Sequence, residues 1–340
     1  MPLSFPNNPT VNQQATINGR TYRWTGSVWE FVSSGGGGSG LAWSSVPASA
    51  TASGTAGQIA YDGSYYYVCT EANTWKRTAL ATWFNPASIA GLQAWYDASD
   101  ASTLFGATSG GAIASVDSSV ARWADKSGNA NHATQSTSGS RPTRRSAGLN
   151  GRPSVEFVAD SADSGDWLAI SHQSALNGSS GLAVFAVYRT STAASNLGLA
   201  GKWQGIGESG GHAWVFGYTG GASGVTTATH ITNNGSASAT QATSSNFNDG
   251  AARLLSMVNT SAGLQARMNG SLQGTNSSTV LGNSACTSGV VLGGYTSSSQ
   301  ATGQRLMSCH ISELMIFSGA LTSQNVADIE SYLMTKWGIS

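Results

Sequence analysis

Between Leu92 and Phe317 the chain returns again and again to short apolar runs of eight residues or fewer. That is strand length rather than helix length. The runs are LQAWYD (92–97), VARWAD (120–125), PSVEFV (153–158), WLAI (167–170), LAVFAVYR (182–189), HAWVFGY (212–218), RLLSMVN (253–259), LQARMNG (264–270), GVVLGG (289–294) and HISELMIF (310–317). Several alternate apolar with polar residues, the two-residue period of a half-buried strand. Glycine, asparagine, serine and aspartate fill the gaps between them and turn the chain. Short strands at this regular spacing predict an all-β sandwich or jelly roll.

The chain then changes period. TSQNVADIESYLMTKWG (322–338) reads as a helix, with Thr322 as its N-cap and Gly338 placed for a C-terminal stop. Val326, Ile329, Leu333 and Trp337 share one face. One helix after the last strand is expected to seal an edge or end of the sandwich.

Two small aromatic pieces precede the strand series. Ala15 to Phe31 predicts a β-hairpin turning at Asn18-Gly19, since both central positions of a type I′ turn need positive φ. SSGGGGSG (33–40) is a flexible linker, reaching on the order of 15 Å as a coil. Gln58 to Thr78 loosely repeats the first unit, with Asp62-Gly63 at its turn and Trp75 in the place of Trp29. A lone hairpin is marginal in water. Each unit is therefore expected to pack on its own copies, on another protein or on the large domain. Tyr22, Trp24, Trp29, Phe31, Tyr66 and Trp75 are the candidate assembly residues. The segments so defined are 1–32, 33–40, 41–82 and 83–340.

Composition narrows the function classes. Net charge is zero and only 9% of residues are charged, where globular chains carry about a quarter. Nucleic-acid binding needs a basic face, and RPTRR (141–145) is too small a cluster to supply one. No apolar run reaches the ~18 residues of a membrane span. The opening MPLSFPNNPT lacks the charged and apolar regions of a signal peptide. Cys69, Cys286 and Cys309 make an odd count without a CxxC pair. They are read as buried thiols, with a Cys286–Cys309 bridge as the alternative.

Four stretches carry a family resemblance: GLQAWYDASDASTL (91–104), RWADKSGNANHATQ (122–135), RPTRRSAGLNGRPSVEF (141–157) and ISELMIFSGALTSQNVADIESYLMTKWGI (311–339). In order and wording they resemble the laminin-G-like, concanavalin A-like jelly rolls common in phage and bacterial surface proteins. The resemblance covers roughly residues 83–340 and implies a jelly-roll sandwich with a C-terminal helix. The aromatic pieces are similar to short hairpin repeats of phage tail fibres and other virion appendages. Together the two likenesses imply a fibre-like virion protein on the virion surface, tail or head. It would be a homotrimer, mounted on other virion proteins through its N-terminal region and presenting its jelly roll to a host glycan or protein. A monomeric lectin-like module is the alternative, and a polysaccharide depolymerase a third reading.

Enzyme chemistry finds little support in the residues. A glycosidase needs two carboxylates about 5 to 9.5 Å apart. Glu313 and Glu156 each stand alone on their strands. GIGESG (205–210) leads into a strand rather than the helix a dinucleotide site requires, and GESGG (207–211) has no matching upstream histidine. The five histidines show no metal-ligand spacing. No cofactor is called for, and calcium is the one cation the turn oxygens would suit. Its candidate ligands are Asp97, Asp100, Asp125, Asn129 and Asp163, with ordinary turn formation as the competing role. For a glycan the candidates are Trp167, Trp203, Trp214 and Tyr218, with core packing as the competing role.

Overall fold

A computed structural model describes residues 5–17, 20–34, 42–62, 65–79, 84–161, 164–192, 197–203, 211–217, 227–232, 238–243, 248–260, 262–296 and 305–340. The expected turn at Asn18-Gly19, most of the glycine linker, the GIGESG segment, Asp163, Tyr218 and the Phe31 side chain lie outside the described residues. The chain divides into two compact units, Met1–Trp83 and Phe84–Ser340.

In the first unit, strands Gln14–Ile17, Arg20–Trp24 and Trp29–Ser34 form a three-stranded antiparallel meander. Tyr22 and Trp29 pack against Phe5 at ring distances of 5.0 and 5.1 Å, and Trp24 lies 5.6 Å from Trp29. These aromatics stay only half-buried. The second sheet exceeds the expected hairpin. Ala42–Trp43 runs parallel to Gln58–Tyr61, which pairs with Tyr65–Glu71 and then Thr74–Ala79. Trp75 is buried in a small core with Ala60, Tyr67 and Cys69. The segment between Trp43 and Gln58 folds back over it: the Trp75 indole N–H donates to the Ala52 carbonyl at 3.1 Å. Gly54 is required there, because a β-carbon would lie 2.7 Å from that indole nitrogen. Trp75 thus packs inside its own sheet. Tyr66 points the other way and is exposed, tilted against Tyr61 at 5.6 Å.

The second unit is an all-β jelly-roll sandwich of two facing sheets. One sheet runs, in hydrogen-bonded order, Thr143–Leu149, Arg152–Phe157, Cys309–Ser318, Leu182–Arg189, Arg253–Thr260, Gly263–Met268 and Ser271–Asn276. Cys309–Ser318 is its spine. One edge of that strand pairs with Arg152–Phe157 at its start and with Leu92–Asp97 at its end. The facing sheet runs Ser238–Ala242, Thr227–Thr232, His212–Phe216, Ala200–Trp203, Val290–Leu292, Leu168–Ile170, Ala133–Thr134, Arg122–Trp123 and Leu104–Phe105.

The strand Leu182–Arg189 is apolar from Leu182 to Val187 because both of its faces are buried there. Leu182, Val184, Ala186 and Tyr188 enter the sandwich core beside Trp123, Trp214 and Phe216. Ala183, Phe185 and Val187 face the helix Ser323–Trp337, whose Val326, Ile329, Leu333 and Trp337 cover them. Each such aliphatic burial contributes about 1.5–3 kcal/mol. Thr322 caps the helix in a reciprocal capping box with Asn325, and Gly338 closes it at φ 63°. All three cysteines are free and buried, so the Cys286–Cys309 bridge does not form.

Candidate functional site

The helix-bearing face of this sheet holds a buried polar network built from the motif residues. Trp95 and Asp97 alternate with Ala94 and Tyr96, so they leave the sandwich core and face the helix. Glu313 lies opposite Asp97 in register and is wholly buried. Trp95 Nε1 donates to Glu313 Oε1 at 2.8 Å, Trp337 Nε1 to Oε2 at 2.6 Å, and the Tyr332 hydroxyl to Oε1 at 3.1 Å. Lys336 bridges the two acids, 2.7 Å from Glu313 and 2.8 Å from Asp97. Lys126 bridges Asp97 and Asp100 at 3.1 and 2.8 Å.

Charge balance follows from these contacts. Burial pushes the Asp97 carboxyl up, but Lys336, Ser99 and Lys126 outweigh it and hold it below the usual range. Burial and the Asp97 charge raise Glu313, with Lys336 and Trp337 opposing. Every oxygen of this pair meets a donor, and both carboxylates are buried.

The DKSGNANH turn is bound to the first strand just as tightly. Asp125 accepts from the Trp95 and Ser127 amides at 2.8 Å each, from the Ser127 hydroxyl at 2.7 Å and from the Asn131 amide at 2.9 Å. Asn129 Nδ2 donates to the Leu92 carbonyl at 2.9 Å. Asp97, Asp100, Asp125 and Asn129 are thus brought to one region, where ammonium and N–H donors meet the carboxylates that calcium would use. Among the described residues no cluster of three or more His, Cys, Asp or Glu is placed to hold a metal.

The candidate glycan aromatics are dispersed. Trp214 is fully buried and donates to the Leu176 carbonyl at 2.8 Å. Half-buried Trp203 stacks on His212 at 4.3 Å and meets Tyr295 edge-on. Trp167 is half-buried beside the Ser138–Ser140 turn, its amide donating to the Ser140 carbonyl at 3.1 Å.

A cleft that the sequence reading missed opens at the other end of the spine strand. It encloses about 440 Å³ and is lined by Glu156, Phe157, Val158, Arg189, Thr190, Ser191, Gly250, Ser308, Cys309 and His310. Cross-strand register aligns Glu156, His310 and Arg189 in one row over three adjacent strands. Arg145 binds Glu156 at 2.6 Å and Asp117 at 2.6 Å. His310 Nε2 lies 3.0 Å from Arg189 Nη2 and 3.3 Å from Glu156 Oε1; Nδ1 lies 3.0 Å from Ser154 Oγ. A guanidinium only donates, so Nε2 accepts and Nδ1 carries the proton. Burial and the Arg189 charge keep His310 below its ordinary range, which favours this neutral form. The sequence signal was present in the polar ends of two apolar strands, Arg189 and His310, but only the register brings them together.

No known protein-family profile matches the chain. A stretch of 39 residues is 56% identical to a capsule K30/K69-specific depolymerase of Klebsiella phage K64-1, covering 12% of this chain and 5% of that protein. Among solved structures, the chain is similar to the binding domain of Paraclostridial Mosquitocidal Protein 1, with 11% identity and a TM-score of 0.49 over 73% of this chain and 53% of that one. It is also similar to domain 4 of AbnA, a GH43 extracellular arabinanase of Geobacillus stearothermophilus, in complex with arabinotriose. That likeness has 14% identity and a TM-score of 0.46 over 70% of this chain and 98% of that one.

Proposed function

We propose that this chain is an adhesive protomer of a phage virion appendage, whose jelly roll binds a bacterial surface polysaccharide without cleaving it. The observation that carries this reading is the 39-residue stretch shared at 56% identity with a phage capsule depolymerase. A short segment held in common by otherwise different chains fits modular exchange between appendage proteins. The order of the modules agrees, with small aromatic sheets ahead of a jelly roll. The half-buried Tyr22, Trp24 and Trp29 and the exposed Tyr66 supply apolar surface for packing between copies or on a virion partner. We read the assembly as a homotrimer on the virion surface.

The non-catalytic part of the reading rests on the carboxylates. Glu313 and Asp97 are locked between lysines and indoles, and Glu156 is held by Arg145. The test presents the full chain to purified capsular polysaccharides and encapsulated cells, with reducing ends and solution mass measured in parallel. Saturable binding, no new reducing ends and three times the 34.7 kDa chain mass are expected. New reducing ends would make it a depolymerase. A single-chain mass with retained binding would make it a monomeric lectin-like module. Binding to neither cells nor polysaccharide would end the adhesion reading.

A further inference from the structure

We propose that the cleft beside Glu156, His310 and Arg189 binds a saccharide that bears a carboxylate, with the Arg189 guanidinium receiving the acid group. This deepens the adhesion reading and rests on it.

Arg145, Lys126, Lys336, Arg253 and Arg267 each face a carboxylate within 3.1 Å. Arg189 is half-buried, and its contact among the described residues is a neutral imidazole nitrogen. That contact takes one N–H and fixes the plane of the guanidinium. The remaining N–H groups form the fork that matches a carboxylate in bidentate geometry. Glu156 does not cancel this charge, because Arg145 binds one of its oxygens at 2.6 Å.

The rest of the cleft suits a sugar ring. Its volume of about 440 Å³ falls within the range of small-molecule sites. Exposed Ser191 and the Ser308 hydroxyl line it and can bond ring hydroxyls, as can Glu156, while the buried Thr190 hydroxyl is committed to the Ser308 carbonyl at 2.7 Å. Val158, which is exposed, adds apolar surface for the C–H side of a pyranose. Gly148 leaves room for the row to form: a β-carbon there would lie 2.7 Å from His310 Nδ1.

The test titrates the full chain by calorimetry with oligogalacturonate and with the same oligomer after carboxyl reduction, beside a panel of neutral polysaccharides. Oligogalacturonate is expected to bind at least about tenfold more tightly than its reduced form, the scale of one charge-assisted hydrogen bond. Arg189→Ala should bring it down to the reduced level, and Arg189→Lys should fall between, because charge remains and the fork is lost. Ser191→Trp fills the cleft from an exposed position. It should abolish binding with an unchanged melting temperature, and it decides the question if Arg189→Ala does not fold. Equal affinity for native and reduced oligomers, or full binding by Arg189→Ala, overturns the proposal. Binding to neutral polysaccharides alone refutes the acidic site and keeps the adhesion reading. Binding to no glycan, on the panel or on cells, refutes both.

Discussion

Asp97 and Glu313 face each other across two paired strands, two acids in register beneath one helix. Side by side and buried they would repel, and a single ammonium, that of Lys336, lies within 2.8 Å of both. The first strand, the last strand and the C-terminal helix therefore meet at one lysine-bridged point. Replacing Lys336 with Met should cost about 3–5 kcal/mol at pH 7, because it leaves two acids without their shared cation. The defect has a defined pH dependence. Without Lys336 both folded-state pKa values move up. The penalty is full at neutral pH and shrinks as pH falls through those values and the acids take up protons. Urea unfolding of wild type and Lys336→Met at pH 7 and pH 4.5 measures this. An equal gap at both values would mean that the lysine acts through packing alone.

The Asp125 carboxylate organises the turn after the strand Arg122–Trp123 through four donated hydrogen bonds. Asp125→Ala should cost about 2–4 kcal/mol, since partly buried N–H groups lose their acceptor. The same contacts bear on calcium. The oxygens of Asp97 and Asp125 already meet ammonium and N–H donors, so EDTA or millimolar calcium should leave the melting temperature of the full chain unchanged. A rise of several degrees with calcium would mean that these donors give way to a cation.

Several parts of this fold can be read directly from the residues. The helix shows itself through Thr322, its four-residue apolar face and Gly338, all local signals. The sandwich shows itself because its strands are short and bounded by turn residues. The polar network does not, because Glu313 and Asp97 are 216 positions apart and only the register of their strands makes them neighbours. Trp75 was legible as a strand residue but not as a core residue. What buries it is the segment around Ala52 and Gly54, which has no periodicity of its own. The Arg189 row was hidden for the same reason as the Glu313 pair: it lies across three strands that are distant in sequence.

Trp75 should be critical to its own sheet and irrelevant to the jelly roll. Trp75→Ala removes the largest member of a four-residue core, a change of about 3–5 kcal/mol in well-packed sites. So small a core has little reserve. Limited proteolysis of the full-length variant should cut within residues 42–79 while a fragment beginning near residue 84 persists. Loss of both regions together would show that the two units unfold as one.

Asp166 supplies a prediction of opposite sign. Burial pushes its carboxyl up to about 6, with the Val158 amide, which donates at 3.0 Å, pulling the other way and the Asp160 and Glu156 charges adding to the rise. A raised carboxyl contributes its stability below the unfolded value near 4, and that contribution is lost as pH rises through about 6. At pH 7 the charged form therefore costs stability. Asp166→Asn keeps an oxygen for the Val158 amide and removes that charge. Because the group is only half-buried, the expected gain is discounted to about 1 kcal/mol at pH 7 and should vanish below about pH 4. Denaturant unfolding of both proteins across pH 3.5 to 8 checks it. A variant less stable than wild type at pH 7 would mean that the Asp166 carboxylate meets a donor stronger than the Val158 amide.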